Sequence, residues 1–275
     1  RPDKSALDSA ERQNVDIRTY RIIQKNRLQS IMERPVRSLT DEDLQIAVNE
    51  DLKTLSAKTM KNTVGFLSSI MHEYAGRDIK ITLPQIIRSD REFLQPEQIP
   101  QFIKAMRGNT YELPALLALH GLRASEIMGL QRKDLRPDRI VVHGSAVPDE
   151  FNIMTRKETN KNTSSRRTVP VMIPRLAELA AELPGADDDY IFTYSSTGAI
   201  YNGINRVCRK EGLPEVGIHG LRHSFASLCY HKGISEEICM KLGGWSDVQT
   251  MRKIYTHIAE SDEMKGIQAL KSFFD

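Results

Sequence analysis

The sequence contains no apolar run approaching the ~18 residues that a membrane span requires, and its opening, RPDKSALDSAERQ, is too polar for a secretory signal. A membrane role is therefore not expected, and a soluble, cytoplasmic protein is. Cysteine is scarce. The three residues Cys208, Cys229 and Cys239 are odd in number and form no CxxC pair, so neither a disulfide framework nor a zinc site is expected, and a reducing compartment fits. There is no P-loop and no carboxylate cluster of the two-metal kind, so the sequence asks for no nucleotide, no metal and no other cofactor. Charge imbalance is missing too: Lys plus Arg 39 against Asp plus Glu 36 leaves +3, which does not announce a nucleic-acid binder. Tryptophan occurs once, at Trp245, and no internal repeat or low-complexity segment is present.

What is there suits a two-domain globular chain: 275 residues, 40% hydrophobic and 27% charged. From about Ser9 to Tyr74 the apolar residues recur at helical spacing, through Ile17, Tyr20, Ile23, Leu28 and Ile31. Thr40 with Asp41, Glu42 and Asp43 reads as a cap and acidic first turn for a helix carrying Leu44, Ile46 and Val48. Ser56 opens another, whose buried face is Met60, Val64, Leu67, Ile70, Met71 and Tyr74 and which Gly76 ends. Between Arg77 and Gln95 the periodicity breaks at Pro84 and a mixed charge run. The domains are accordingly set at 1–83 and 96–275, with a linker at 84–95.

The second domain reads as helices around a small antiparallel sheet, making the whole mainly α, of the α+β class. Helices are expected at Pro96–Gly108, Leu113–Leu119, Pro174–Leu183, Ala199–Glu211, His219–His231 and Ser235–Leu242, with an amphipathic piece holding Met264, Ile267, Leu270, Phe273 and Phe274 at the end. A turn at Gly121 leaves Arg123 at the start of a helical piece and Glu126 one turn on. The β signals are RIVVHG, EFNIM and RRTVPV, the last two separated by the polar stretch TRKETNKNTSS. That stretch and its flanks hold the clearest basic cluster, with Arg156, Lys157, Lys161, Arg166 and Arg167 against the single acid Glu158.

Chemistry concentrates between His219 and His257. His219 and Arg222, three apart, share one helix face and can reach a single oxyanion, the arginine offering a fork that matches phosphate oxygens. Tyr255 supplies an attacking group, since a phenol in line with phosphorus can form a covalent phosphotyrosine. A lone HxxR is usually surface chemistry, and KIYTH is more often a packed helix end. Agreement with the rest of the chain decides.

That agreement is a resemblance to the tyrosine recombinases, the integrase family of phages and mobile elements. GLRASEIMGL resembles its first-arginine motif, SSRRTVPV the strand after its catalytic lysine, HGLRHSFAS its HxxR box and LGGWSDVQTMRKIYTH its nucleophile segment, in the family's order. The resemblance implies that Tyr255 attacks a scissile phosphate, leaving a 3′-phosphotyrosine and a free 5′-hydroxyl. It implies that Arg123 and Arg222 stabilise the nonbridging oxygens and that Lys161 protonates the leaving oxygen, with Lys157 the competing lysine. His219 becomes the base or proton relay, and Trp245 stands where most members have a second His. An indole N–H donates but cannot shuttle a proton. Glu126 is expected to orient Arg123 or His219, His120 to be structural, and His223 to be a helical neighbour. Arg156, Lys157, Arg166 and Arg167 are candidate DNA contacts.

The implied partners are double-stranded DNA at attachment or core sites, three further copies in a homotetramer formed on DNA by a free monomer, and accessory proteins that bend DNA or set direction. The first domain resembles the family's SAM-like core-binding domain, forming with the catalytic domain a clamp on duplex DNA. The C-terminal helix packs either in cis or on a neighbour. The long hairpin turn resembles those of phage and conjugative-element integrases, which often carry an additional N-terminal arm-binding domain, in keeping with a chain that opens on Arg1. Two alternatives remain at this stage: a type IB topoisomerase-like relaxing enzyme, and a non-enzymatic DNA-binding relative.

Overall fold

Local capping chemistry sets most helix boundaries of this chain, whose structure is a computed structural model describing residues 17–86, 92–149, 153–157, 166–194, 196–249, 251–252, 267 and 270–274. The chain divides into two compact units, Arg1–Ser89 with Asp149–Phe151 and Asp90–Pro148 with Asn152–Asp275.

In the first unit, α1 (Ile17–Asn26) stops where Leu28 adopts left-handed backbone, φ 54°, and its N–H is taken by the Asp51 carboxylate at 2.9 Å. The reversal turns Leu28 into the core. Two 3₁₀ turns lead to α2 (Asp41–Asp51), capped as expected: Thr40 Oγ1 accepts from Asp43 N–H and the Asp43 carboxylate from Thr40 N–H. Ser56 caps α3 (Ala57–Ala75), which Gly76 ends at φ 67°. Leu44, Val48, Met60, Leu67 and Met71 form the core, but Ile46 and Tyr74 are 56% and 38% exposed. Ile46 is two residues from Leu44 and so points to the opposite side of the helix. Thr63, on the side of α3 that carries Met60 and Leu67, is buried too and bonded to Arg27 Nη1 at 2.7 Å. Beyond Gly76 the chain runs as an irregular strap. Ile79, Ile81 and Leu83 pack on this core, and Gln45 pairs with the backbone of Thr82 in both directions.

The second unit is built on α4 (Gln98–Met106), α5 (Glu112–Leu119), α6 (Ala124–Met128), α7 (Pro174–Glu182), α8 (Gly198–Lys210), α9 (Gly217–His231) and α10 (Glu236–Gly243). The nearly all-apolar α5 is buried, and α9 packs across it and against α8 and α10. One antiparallel sheet was expected; among the described residues there are two, each of two strands. β1 (Arg139–Val142) pairs with β4 (Arg167–Pro170), and β2 (Ser145–Pro148) pairs with β3 (Met154–Lys157). β2, SAVP, carries no alternation that would announce it, and β3 runs into the polar stretch read as turn. Both form because each supplies the other's backbone partners. Helix is described at Ile267 and Leu270–Phe274, whereas Met264 lies outside the described residues.

Candidate active site

The site is assembled on one carboxylate. The chain turns at Gly121, φ +82°, where an added Cβ would stand 2.9 Å from the Phe225 ring, and α6 then begins with Arg123 as its cap. Glu126, one turn on, reaches back to accept from Arg123 N–H at 2.8 Å and from Arg123 Nη1 at 2.7 Å. From β4, Arg167 closes a fork on the same group, Nη1 to Oε1 at 3.0 Å and Nη2 to Oε2 at 2.9 Å. From α9, Arg222 brings Nη1 to 3.9 Å of Oε2, beyond hydrogen-bond range, and donates instead to the Gly121 carbonyl. The side chains of Glu126, Arg167 and Arg222 are 3%, 5% and 4% exposed, that of Arg123 34%.

Three guanidiniums around one carboxylate leave a formal charge of +2. Burial alone would raise the Glu126 carboxyl, but the hydrogen bonds and charge of Arg167 and the Arg123 N–H outweigh it and hold the group below the usual glutamate range. Burial, and then the like charge of Arg123, pull Arg222 down to about 9, so it still carries its proton at neutral pH. A cation held where it is poorly solvated and repelled by its neighbours is one that an incoming anion relieves. Arg123, the partly exposed member, marks the open side.

Trp245 lines the other flank of Arg222. Its ring centroid lies 4.0 Å from the Arg222 guanidinium carbon and stacks on Phe225 with an interplanar angle of 5°. The position is set by the Leu242–Gly243–Gly244 turn that ends α10. Arg167 Nε donates to the Leu242 carbonyl at 2.7 Å and Arg123 Nη2 to the Gly244 carbonyl. Gly244 sits at φ +70°, and a Cβ on Gly243 would fall 1.8 Å from the indole, an overlap that ring or backbone must move to escape. Gly243→Ala is therefore expected to lift Trp245 off Phe225, at a cost of about 1–3 kcal/mol. Trp245 is the sole tryptophan, so its emission reports the change directly: a red shift on substitution is the expected result, and an unchanged spectrum would refute it.

Of the sequence candidates, Arg123, Glu126, Arg222 and Trp245 are brought together. His219 lies on α9 one turn before Arg222, exposed, its ring 5.6 Å from that of His223. His120 is buried, with Nδ1 at 2.8 Å from the Leu116 carbonyl and Nε2 accepting from Met172 N–H, a structural pairing. Lys161 and Tyr255 lie outside the described residues; Lys157 ends β3. Two candidate DNA contacts have partners within the fold. Arg167 faces inward on Glu126, and Arg156 lies over the Tyr190 ring at 3.6 Å and donates to the Phe192 carbonyl. Arg166 is exposed. A signal for Arg167 was present, since residues two apart on a strand share a face and Val169, two on, is buried in the core. Among the described residues no three His, Cys, Asp or Glu side chains gather to hold a metal ion, and no helix is long and apolar enough to cross a membrane.

The model of the phage integrase family matches residues 92–262. The chain is 25% identical over 264 residues to a tyrosine recombinase XerC-like protein of Caldanaerobacter subterraneus subsp. tengcongensis, spanning 80% of this chain and 67% of that one. It is 25% identical over 298 residues to the integrase of Staphylococcus phage L54a, spanning 90% and 83%. Among solved structures, the integrase of transposon Tn1549 in complex with circular intermediate DNA shares the fold, with a TM-score of 0.70, 20% identity and coverage of 96% and 97%.

Proposed function

The chain belongs to the phage integrase family, and from that premise we propose that it is a site-specific DNA recombinase that breaks and rejoins strands of a mobile element through a 3′-phosphotyrosine. The observation that carries the reading is the convergence of Arg123 and Arg222 on Glu126, a preformed cationic patch with one member open to solvent.

The Tyr255 oxygen attacks the scissile phosphorus in line with the 5′-oxygen. As the P–O5′ bond breaks, a phosphotyrosine forms at the 3′ end. Charge grows on the nonbridging oxygens in the pentacoordinate transition state, and Arg123 and Arg222 meet it with preorganised donors, each worth roughly 10²–10³ in rate. His219 takes or relays the phenol proton, and Lys161 protonates the departing 5′-oxygen, a role open to an ammonium but not to a guanidinium. Trp245 packs on Arg222 and holds its plane. A partner strand's 5′-hydroxyl then reverses the step, so the energy of the broken bond is kept in the phosphotyrosine and no cofactor is needed.

The substrate is duplex DNA at attachment sites, in keeping with the DNA complex of the Tn1549 integrase. The first helical unit serves as the core-binding domain and the second, from about residue 96, as the catalytic one. Arg166, exposed, and Lys157, the last residue of β3, are the remaining candidate DNA contacts. Four copies act together on DNA, with accessory proteins setting direction, and the reaction takes place in the cytoplasm. The C-terminal helix, exposing Leu270, Phe273 and Phe274 at 64%, 81% and 80%, suits docking on a neighbouring copy.

The test begins with duplexes selected from a random-sequence library by binding to the whole chain. A supercoiled plasmid carrying two copies of the selected site is then incubated with the protein. Recombinant circles are expected. Relaxed plasmid without exchanged products would instead indicate a topoisomerase-like enzyme, and unchanged plasmid a DNA binder.

A further inference from the structure

Glu126 accepts four hydrogen bonds, two on each oxygen: from Arg123 N–H and Arg167 Nη2 on Oε2, and from Arg123 Nη1 and Arg167 Nη1 on Oε1. A carboxylate has about four lone-pair sites, so this one is saturated. Arg222, held 3.9 Å away, is left out of the set.

We propose that Arg167 is a positioning residue for strand cleavage: it fills the Glu126 carboxylate so that Arg222 and the solvent-facing side of Arg123 stay directed at the scissile phosphate. The inference rests on the strand-cleavage reading above. Its logic is one of competition. A buried carboxylate with open lone pairs takes the nearest donor, and without Arg167 that donor is Arg222 Nη1, which needs to move by about 1 Å to reach hydrogen-bond distance. Arg222 would then be neutralised by Glu126 and turned from the phosphate. The charge count runs the same way. Arg123, Arg167 and Arg222 against Glu126 sum to +2; without Arg167 the sum is +1.

The bookkeeping of charge also says how the defect is repaired. Arg167→Met combined with Glu126→Gln removes one charge of each sign and restores +2, and the neutral amide no longer captures Arg222. A residue that merely braced β4 against α10 through the Leu242 carbonyl would show no such repair, because both substitutions remove contacts and their losses would add.

The experiment uses the whole chain with a nicked suicide duplex of the selected site at saturating concentration, and follows formation of the covalent adduct in a single turnover on denaturing gels. Arg167→Met is expected to slow adduct formation by roughly 10²-fold, with DNA affinity in a gel-shift assay unchanged. Adding Glu126→Gln is expected to recover at least about tenfold of that rate. A double variant as slow as Arg167→Met, or an Arg167→Met protein as fast as wild type, overturns the proposal. Should Arg167→Met not fold by its melting curve, Arg167→Lys takes its place: it keeps the charge and part of the carboxylate contact, and is expected to cleave within about tenfold of wild type. If Arg167→Lys folds yet cleaves some 10²-fold more slowly, charge balance is not the role. A wild-type chain that binds the duplex and forms no adduct overturns the strand-cleavage reading itself, and this inference with it.

Discussion

Tyr255→Phe is expected to abolish the covalent protein–DNA adduct on a nicked suicide duplex while leaving DNA affinity unchanged. The substitution removes one oxygen and nothing else, so the ring is kept and the chain retains its contacts with DNA. Without the phenol the proposed site keeps no hydroxyl to form a phosphodiester that survives denaturation, because the guanidiniums of Arg123 and Arg222, the Lys161 ammonium and the Trp245 indole are not nucleophiles at neutral pH. Met251, four residues earlier in the chain, is buried with Phe225, Cys229 and Cys239 in the cluster that Trp245 packs against. The loss should appear in the rate of adduct formation alone, since an interaction made only along the reaction path leaves ground-state binding untouched. The measurement is adduct formation at saturating duplex, with affinity determined in parallel by gel shift. An adduct that persists in Tyr255→Phe would show that another residue attacks and would remove the main support for the proposed mechanism.

Glu126→Ala carries the second large effect, on stability. It leaves the guanidiniums of Arg167 and Arg222, each about 5% exposed or less, and that of Arg123 without their shared anion. Removing one partner from a buried charge cluster typically costs about 3–5 kcal/mol, because the remaining charges are desolvated, unpaired and mutually repelling. For a unit of this size that corresponds to a fall in melting temperature of about 6–20 °C. The pH dependence follows the same carboxyl. Its folded-state pKa lies below the unfolded one, so the unfolded chain binds the extra proton and the associated stability is present above the ordinary glutamate value of 4.5 and lost as pH falls through the lower folded value. Wild type is thus expected to lose stability in acid below about pH 4.5 more steeply than Glu126→Ala. Chemical denaturation from neutral pH into that window measures both. Equal melting temperatures, or parallel acid profiles, would mean that the cluster is balanced by something other than Glu126.

Helix starts and stops were legible because each depends on a few adjacent residues: Thr40 with Asp43, Ser56 with Thr59, Gly76 and Gly121 at positive φ. The strand motifs were legible in part. RIVV and RTVP form β1 and β4 as their alternation indicated, whereas SAVP became a strand only because Met154–Lys157 lies beside it. The family was legible from motif order alone, and with it Arg123, Arg222 and Trp245, which the fold brings to one place from α6, α9 and the end of α10.

By itself, then, the sequence determined the helical first unit, the mixed second one and the recombinase family, and it singled out Arg123, Glu126 and Arg222. Only the tertiary structure decided how they meet. Glu126 was read as a support for Arg123 or His219 and turned out to anchor Arg167 as firmly as Arg123; Arg167 and Arg156, read as DNA contacts, lie on Glu126 and on Tyr190. The physical reason is that a cap or a helix face is decided by neighbours within one or two turns, whereas the direction of an arginine is decided by which buried anion, ring or carbonyl lies within reach. Those partners come from segments distant in the chain, and nothing in the local pattern records their approach.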